Sequence, residues 1–226
     1  MNQKYKIIFS DIDAILARDP ATNSRLEAVL CSSGLHSILI YRMSHYLWNK
    51  NFHLTARVIS QIARFLTGVE IHPAAKIGSG FMIDHGAGVV IGETTQIGNN
   101  VTLYHDVTLG GTTVFDSKGK RCNKRHPTVG NDVIIGSGAQ VLGPITIGNG
   151  SKIGSNAIVI NDVAENTTVV GFPAHPTKSK KNKRFCSYGF DKQSTDELND
   201  TIIHLSEDIH NLRAEINKLK QKLNKN

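Results

Sequence analysis

The sequence has 226 residues, a length suited to one large domain or two small ones. Its 39% apolar content becomes about 48% with glycine included, a globular composition that excludes wholesale disorder. The formal net charge of +7 is unevenly placed: residues 1–175 carry 15 Lys/Arg against 12 Asp/Glu, and five positive charges sit between Lys178 and Arg184, so no basic face suited to nucleic acid runs along the chain.

At the N-terminus only Ile7, Ile8 and Phe9 form an apolar core before Asp11, too short for a secretory signal. No window approaches the 18 or so apolar residues of a membrane span. Residues 11–67 hold one glycine, Gly34, and repeat apolar residues with helical spacing. The stripes are Leu26, Val29 and Leu30, then Ile38, Leu39, Met43 and Leu47, then Val58, Ile62, Phe65 and Leu66. Pro20 and Cys31-Ser-Ser-Gly34 read as breaks. The spacing predicts about three helices packing on the glycine-rich segment after them, an N-terminal helical domain over 1–67. Cys31, Cys122 and Cys186 are odd in number and lack CxxC spacing, which predicts reduced thiols and a cytoplasmic protein.

Of the 20 glycines, 18 lie between Gly68 and Gly171. There the apolar period becomes six: Ile71, Ile77 and Ile83; Ile91, Ile97, Leu103 and Leu109; Val129, Ile135, Val141, Ile147, Ile153 and Val159. Six of the isoleucines are followed directly by glycine, from Ile77-Gly78 to Ile153-Gly154. This is the signature of a hexapeptide β-helix, in which each unit gives one short strand and one corner and three units close a triangular coil. The branched residue points inward, and glycine permits the tight corner. A single coil cannot bury its own core, so four to five coils are expected to stack over 68–175.

The period breaks twice. Ile83 to Ile91 is eight residues, and Leu109 to Val129 is twenty, including Gly110-Gly-Thr112 and a basic stretch from Ser117 to His126. A solenoid interrupts its repeat where a loop leaves the core, and such loops carry function. Beyond the coil, 176–200 reads as a basic linker. Ile202, Leu205, Ile209, Leu212, Ile216, Leu219 and Leu223 then keep an unbroken 3,4 spacing, an a/d coiled-coil helix over 201–224. Ile at a with Leu at d favours two strands, whereas a trimeric core supplies three parallel tails.

Unusual polar residues gather around the two breaks: Glu70, His72, Asp84, His85, Glu93, His105, Arg125 and His126. Together with these, Arg18-Asp-Pro-Ala21, Tyr41-Arg-Met-Ser-His45, Glu70-Ile-His-Pro-Ala-Ala75, Ile83-Asp-His-Gly86, Val89-Val-Ile-Gly-Glu-Thr94, Val107-Thr-Leu-Gly-Gly-Thr112, Arg125-His-Pro127 and Gly171-Phe-Pro-Ala174 closely resemble the serine O-acetyltransferases. These are left-handed parallel β-helix acyltransferases of cysteine biosynthesis. The resemblance runs from Asp11 to about Pro176.

The resemblance implies a mainly β protein with a helical N-terminal region and a left-handed coil, assembled as a homotrimer or a dimer of trimers with active sites between neighbouring coils. It implies transfer of acetyl from acetyl-CoA to L-serine, without a metal. Serine's hydroxyl needs a base to take its proton as it attacks the thioester, and an imidazole with an ordinary pKa of ~6.5 suits that task. The family base corresponds to His85, with Glu70 as the carboxylate that orients it, where some relatives carry aspartate. By the same resemblance Asp84 and Asp19 take the substrate ammonium, Arg125 its carboxylate, His126 positions the hydroxyl, and Glu93 supports the site. Gly110, Gly111, Ser137, Gly138 and Ala139 are candidates to let acetyl-CoA approach the coil.

L-cysteine, so close to serine in shape, is expected as a feedback inhibitor. Family members dock a terminal isoleucine into O-acetylserine sulfhydrylase; this sequence ends Lys225-Asn226, so that docking is not expected. Three alternatives stay open on the residues alone. One is an acetyltransferase for homoserine or a sugar. Another is a zinc hydratase of the γ-carbonic anhydrase type, using His72, His85, His105 and His126, although no H-x4-H pair is present. The third is a non-catalytic scaffold.

Overall fold

The computed structural model describes residues 3–112 and 123–171, the side chains of residues 3–5 excepted. The linker, the heptads, the Phe172-Pro-Ala174 end of the last motif and most of the long basic loop lie outside the described residues.

Four helices come first: α1 Gln3–Arg18, α2 Arg25–Cys31, α3 Ser33–Trp48 and α4 His53–Thr67. The expected breaks are where chain chemistry puts them. Proline cannot continue a helix, and α1 stops at Arg18, short of Pro20. Ser24 caps α2 by accepting from the Glu27 N–H, and Ser32 caps α3 by accepting from Leu35. Gly68, at φ +72°, ends α4 in a left-handed turn. The added helix is α1, which begins well before residue 11.

Contrary to the sequence expectation, the large apolar stripe of α4 does not pack inward. Its buried residues are Ala56, Ser60 and Ala63, small side chains spaced to let α3 approach closely. Leu54, Val58, Ile62, Phe65 and Leu66 instead face outward, with Leu54 and Phe65 about four-fifths exposed or more in the single chain. On α2 only Ala28 is buried, while Leu26 and Leu30 are exposed.

The coil then winds through three parallel faces. Face 1 stacks β1 Glu70–Ile71, β4 Val90–Ile91, β7 Thr108–Gly110, β10 Gln140–Leu142 and β13 Ile158–Val159. Face 2 stacks β2 Lys76–Ile77, β5 Gln96–Ile97, β8 Thr128–Val129 and β11 Thr146–Ile147. Face 3 stacks β3 Met82–Ile83, β6 Thr102–Leu103, β9 Ile134–Ile135, β12 Lys152–Ile153 and β14 Thr168–Val169. This is a left-handed parallel β-helix. Every apolar position of the six-residue repeat falls on a strand, and its side chain enters one continuous core. The outer residue of each strand is the one before it.

The interruptions leave the stacking intact. Glu70 still pairs with Val90 across the first break, and Gln96 with Thr128 across the second, so the extra residues are confined to corners. The first break lies between β3 and β4, at the corner joining faces 3 and 1; the second lies between β7 and β8, at the corner joining faces 1 and 2.

The helices are fastened to the first coil by polar contacts. Asp11 is fully buried and accepts from Arg42 at 3.1 Å and from the Phe81 N–H at 3.0 Å. Arg42 also donates to the carbonyls of Ile77 and Gly78, and the Tyr41 hydroxyl to that of Ala75. Burial pushes the Asp11 carboxyl above its ordinary value, against the pull of Arg42. Removing one partner leaves the other charge buried and unpaired. Asp11→Ala is therefore expected to cost ~3–5 kcal/mol of stability, measured by denaturant titration; a loss below ~1 kcal/mol would show that this pair does not fasten the cap.

Candidate active site

The polar side chains singled out in the sequence divide between the two corners that border face 1. At the 3/1 corner, Asp84 and His85 open the first interruption. His85 has φ +63°, a left-handed conformation uncommon outside glycine, and its side chain is 74% exposed. Its Nε2 lies 3.9 Å from Asp84 Oδ1, an ion-pair distance rather than a hydrogen bond. One coil further on, His105 sets its ring edge-on to His85, with centroids 5.8 Å apart, and its Nδ1 is buried without a hydrogen-bond partner.

Asp19 reaches this corner from the helices. Arg18 anchors the end of α1 by donating to the Gly80 carbonyl and the Thr102 hydroxyl. The following turn fixes Asp19, whose carboxylate accepts from the Thr22 hydroxyl at 2.6 Å and the Ala21 N–H at 2.8 Å. These two bonds hold its carboxyl below the ordinary value, with a smaller pull from His85. Glu70, the outer residue of β1, pairs with Arg64 of α4 at 3.0 Å. Ser137, Gly138 and Ala139 occupy the same corner one coil above His105; Gly138 donates to the His105 carbonyl at 2.9 Å. Ala139 is fully buried, with its N–H and C=O both bonded within the coil.

The 1/2 corner carries the second set. Arg125 and His126 end the long loop, and Glu93 lies one coil below, 3.6 Å from the Arg125 guanidinium. Gly110 and Gly111 begin that loop, and both are buried. The His126 ring lies close against Gly92, where a Cβ would collide with its Cδ2. His72 lies at the same corner in the first coil, edge-on to Trp48 at 5.2 Å. Burial, reinforced by Arg125, pushes His126 down to about 4, and burial with Arg57 does the same to His72.

Sequence reasoning missed Thr94. Its hydroxyl accepts from the backbone N–H groups of both Arg125 and His126 at 3.1 Å. The signal was in the register: the second interruption separates stacked residues by 32, and Thr94 lies 32 before His126.

A face of about six residues spans on the order of 15–20 Å. An amino acid bound by Asp84 and His85 thus lies too far away to be bound also by Arg125 of the same chain. One corner offers carboxylates and an exposed imidazole; the other offers a guanidinium and a neutral imidazole. The cofactor candidates divide in the same way, Gly110 and Gly111 at one corner and Ser137 to Ala139 at the other. Among the described residues no three His, Cys, Asp or Glu side chains are gathered to hold a metal ion, and no helix is long and apolar enough to cross a membrane.

Residues 126–161 match the bacterial transferase hexapeptide family (six repeats). The chain is 45% identical to a serine acetyltransferase of Bacillus subtilis over 97% of its own length and 98% of that protein. Among solved structures it is similar to a serine acetyltransferase of Neisseria gonorrhoeae in complex with serine. That similarity has a TM-score of 0.70 and 40% identity, over 77% of this chain and 69% of the other. Isoform 3 from Entamoeba histolytica, in complex with cysteine, gives a TM-score of 0.68 and 38% identity over 79% of this chain and 62% of that one.

Two histidines, buried His126 and half-buried His72, make stability depend on pH. In the folded chain His72 and His126 take up a proton only near pH 4, whereas unfolded histidine does so near ~6.5. As pH falls the unfolded chain binds protons first, so stability is fully present above ~6.5 and is lost between ~6.5 and ~4. Denaturant titrations across that window should show the decline, with a shallower slope in His126→Asn; equal slopes in the two proteins would contradict the assignment.

Proposed function

Since the chain belongs to the serine acetyltransferase family, we infer that its two corners are the halves of one serine-acetylating site, completed when a second copy sets its 1/2 corner against the 3/1 corner of the first. The activity is transfer of an acetyl group to serine, the committed chemistry of cysteine biosynthesis, with acetyl-CoA as donor. The observation that carries the shared site is the separation of complementary charges by a whole face of the coil.

In this reading the carboxylates of Asp84 and Asp19 receive the serine ammonium, and Arg125 from the neighbouring copy receives the serine carboxylate through two parallel N–H bonds. Glu93 steadies the guanidinium. His85 Nε2 takes the hydroxyl proton as the oxygen attacks the thioester carbonyl, and His126 holds that oxygen in place. Collapse of the tetrahedral intermediate breaks the carbon–sulfur bond, and the imidazolium returns its proton to the departing CoA sulfur, giving O-acetylserine and CoA. Glu70 orients His85, a role that requires it to share its carboxylate with Arg64. The glycines at 110, 111 and 138 keep side chains out of the path of the acetyl-CoA arm beside Ser137, while Ala139 contributes only to the wall of the core.

A ring of three copies joins corner 3/1 to corner 1/2 at every interface and turns face 1 toward the axis. The outer residues of that face beyond Glu70 are Val90, Thr108, Gln140 and Ile158, none of them charged. The exposed stripe of α4 gives a second apolar surface for self-association, by which trimers can pair. L-cysteine, with a thiol in place of the hydroxyl, fits the same ammonium and carboxylate contacts and is expected to compete with serine.

A thiol-release assay tests the reading. With acetyl-CoA and a panel of serine, homoserine and sugars, serine should be turned over best. His85→Ala should lower kcat by roughly 100-fold or more, and Arg125→Ala should raise KM for serine. Turnover of a sugar that survives Arg125→Ala, or no serine-dependent CoA release by the unaltered protein, would overturn it.

A further inference from the structure

Thr94 makes more contacts to the foot of the long loop than any role in turning a corner requires. Its hydroxyl oxygen accepts from the Arg125 and His126 N–H groups, each at 3.1 Å, and lies 2.9 Å from His126 Nδ1. Its own N–H donates to the same Nδ1 at 3.2 Å. Its carbonyl accepts from Lys124 Nζ at 2.6 Å. Three consecutive residues, Lys124, Arg125 and His126, therefore hang on one threonine of the coil below.

A hydroxyl has two lone pairs and one hydrogen. Here both lone pairs are taken by backbone donors, so the hydrogen is the part left for Nδ1. With the Thr94 N–H also aimed at it, Nδ1 receives two donors and holds no hydrogen of its own. The hydrogen of the neutral ring then resides on Nε2, on the side turned toward Gly92 and Gly111. A Cβ on Gly92 would collide with that nitrogen and one on Gly111 would come 3.2 Å from it, so both glycines keep its surroundings clear.

We propose that Thr94 is a positioning residue that fixes His126 as the Nε2–H tautomer and sets its register with Arg125, so that the site presents a donor to the acceptor hydroxyl. The inference rests on the serine-acetylating reading and adds a reason for the tautomer. The serine hydroxyl has one hydrogen, which must go to His85. An acceptor nitrogen at position 126 would compete for it, whereas an N–H bonds to an oxygen lone pair and leaves the proton pointing at the base. Among the described residues, the Thr94 hydroxyl and the N–H beside it are the groups that meet Nδ1 and set that choice.

The test uses the full-length protein labelled with 15N-histidine, compared with Thr94→Val, which keeps the shape without the hydroxyl, and Thr94→Ser, which restores it. Imidazole 15N shifts should give His126 as Nε2–H in the unaltered protein and in Thr94→Ser, and a mixture of tautomers in Thr94→Val. Thr94→Val should lower kcat/KM for serine by roughly 100-fold with the KM for acetyl-CoA within about twofold of the parent; Thr94→Ser should recover most of the loss. An Nδ1–H tautomer in the unaltered protein overturns the proposal even if Thr94→Val fails to fold. An unchanged tautomer with unchanged serine kinetics in Thr94→Val also overturns it. Absence of serine turnover by the unaltered protein would fail the functional reading instead, since the tautomer is read without substrate.

Discussion

Parallel stacking in register is the constraint on which everything else in this chain depends. Each strand contributes one inward apolar side chain and bonds to the strand one coil away, so a residue inserted within a strand would turn a core side chain outward. Insertions survive only at corners, and the pairings of Glu70 with Val90 and of Gln96 with Thr128 show the ladder passing both interruptions without slipping. The two interruptions, where most of the proposed site residues lie, are thereby held at fixed heights, one coil apart, on opposite borders of face 1.

The helices serve that frame in two ways. The buried pair of Asp11 and Arg42, with the Tyr41 hydroxyl, ties them to backbone carbonyls of the first coil, where no earlier coil exists to donate N–H groups to those carbonyls. A solenoid needs such a cap because its terminal turn otherwise exposes its core. The same attachment delivers Asp19 beside His85, so a residue far away in sequence joins the 3/1 corner. The outward stripe of α4 results from the use of alanine and serine for close packing on α3, which leaves the bulky residues for another surface.

Much of this was legible in the sequence because the six-residue period reports directly on the fold: every expected strand position is a strand, and the ladder passes both interruptions in register. The residues of the proposed site were singled out through sequence motifs, most of them at those interruptions. The sequence did not reveal which corner each loop occupies, because that depends on counting strands across both insertions. Thr94 stayed hidden for the same reason: it becomes a neighbour of His126 only when the 14 extra residues are added to the 18 of one coil. The inward reading of α4 failed because periodicity identifies an apolar face without saying what covers it; Ala56, Ser60 and Ala63 were the better guide to the α3 contact.

In the proposed site neither corner suffices, and each cleft draws one corner from each of two copies. Complementation between variants measures this directly. His85→Ala and Arg125→Ala chains, each deficient alone, are mixed in equal amounts, unfolded, refolded together and assayed with serine and acetyl-CoA. If clefts form between copies, chance assembly pairs an intact His85 corner with an intact Arg125 corner in about a quarter of them, and activity should recover to that fraction of the unaltered enzyme. Mixed oligomers no more active than the separate variants would contradict the account and place the whole site within a single chain.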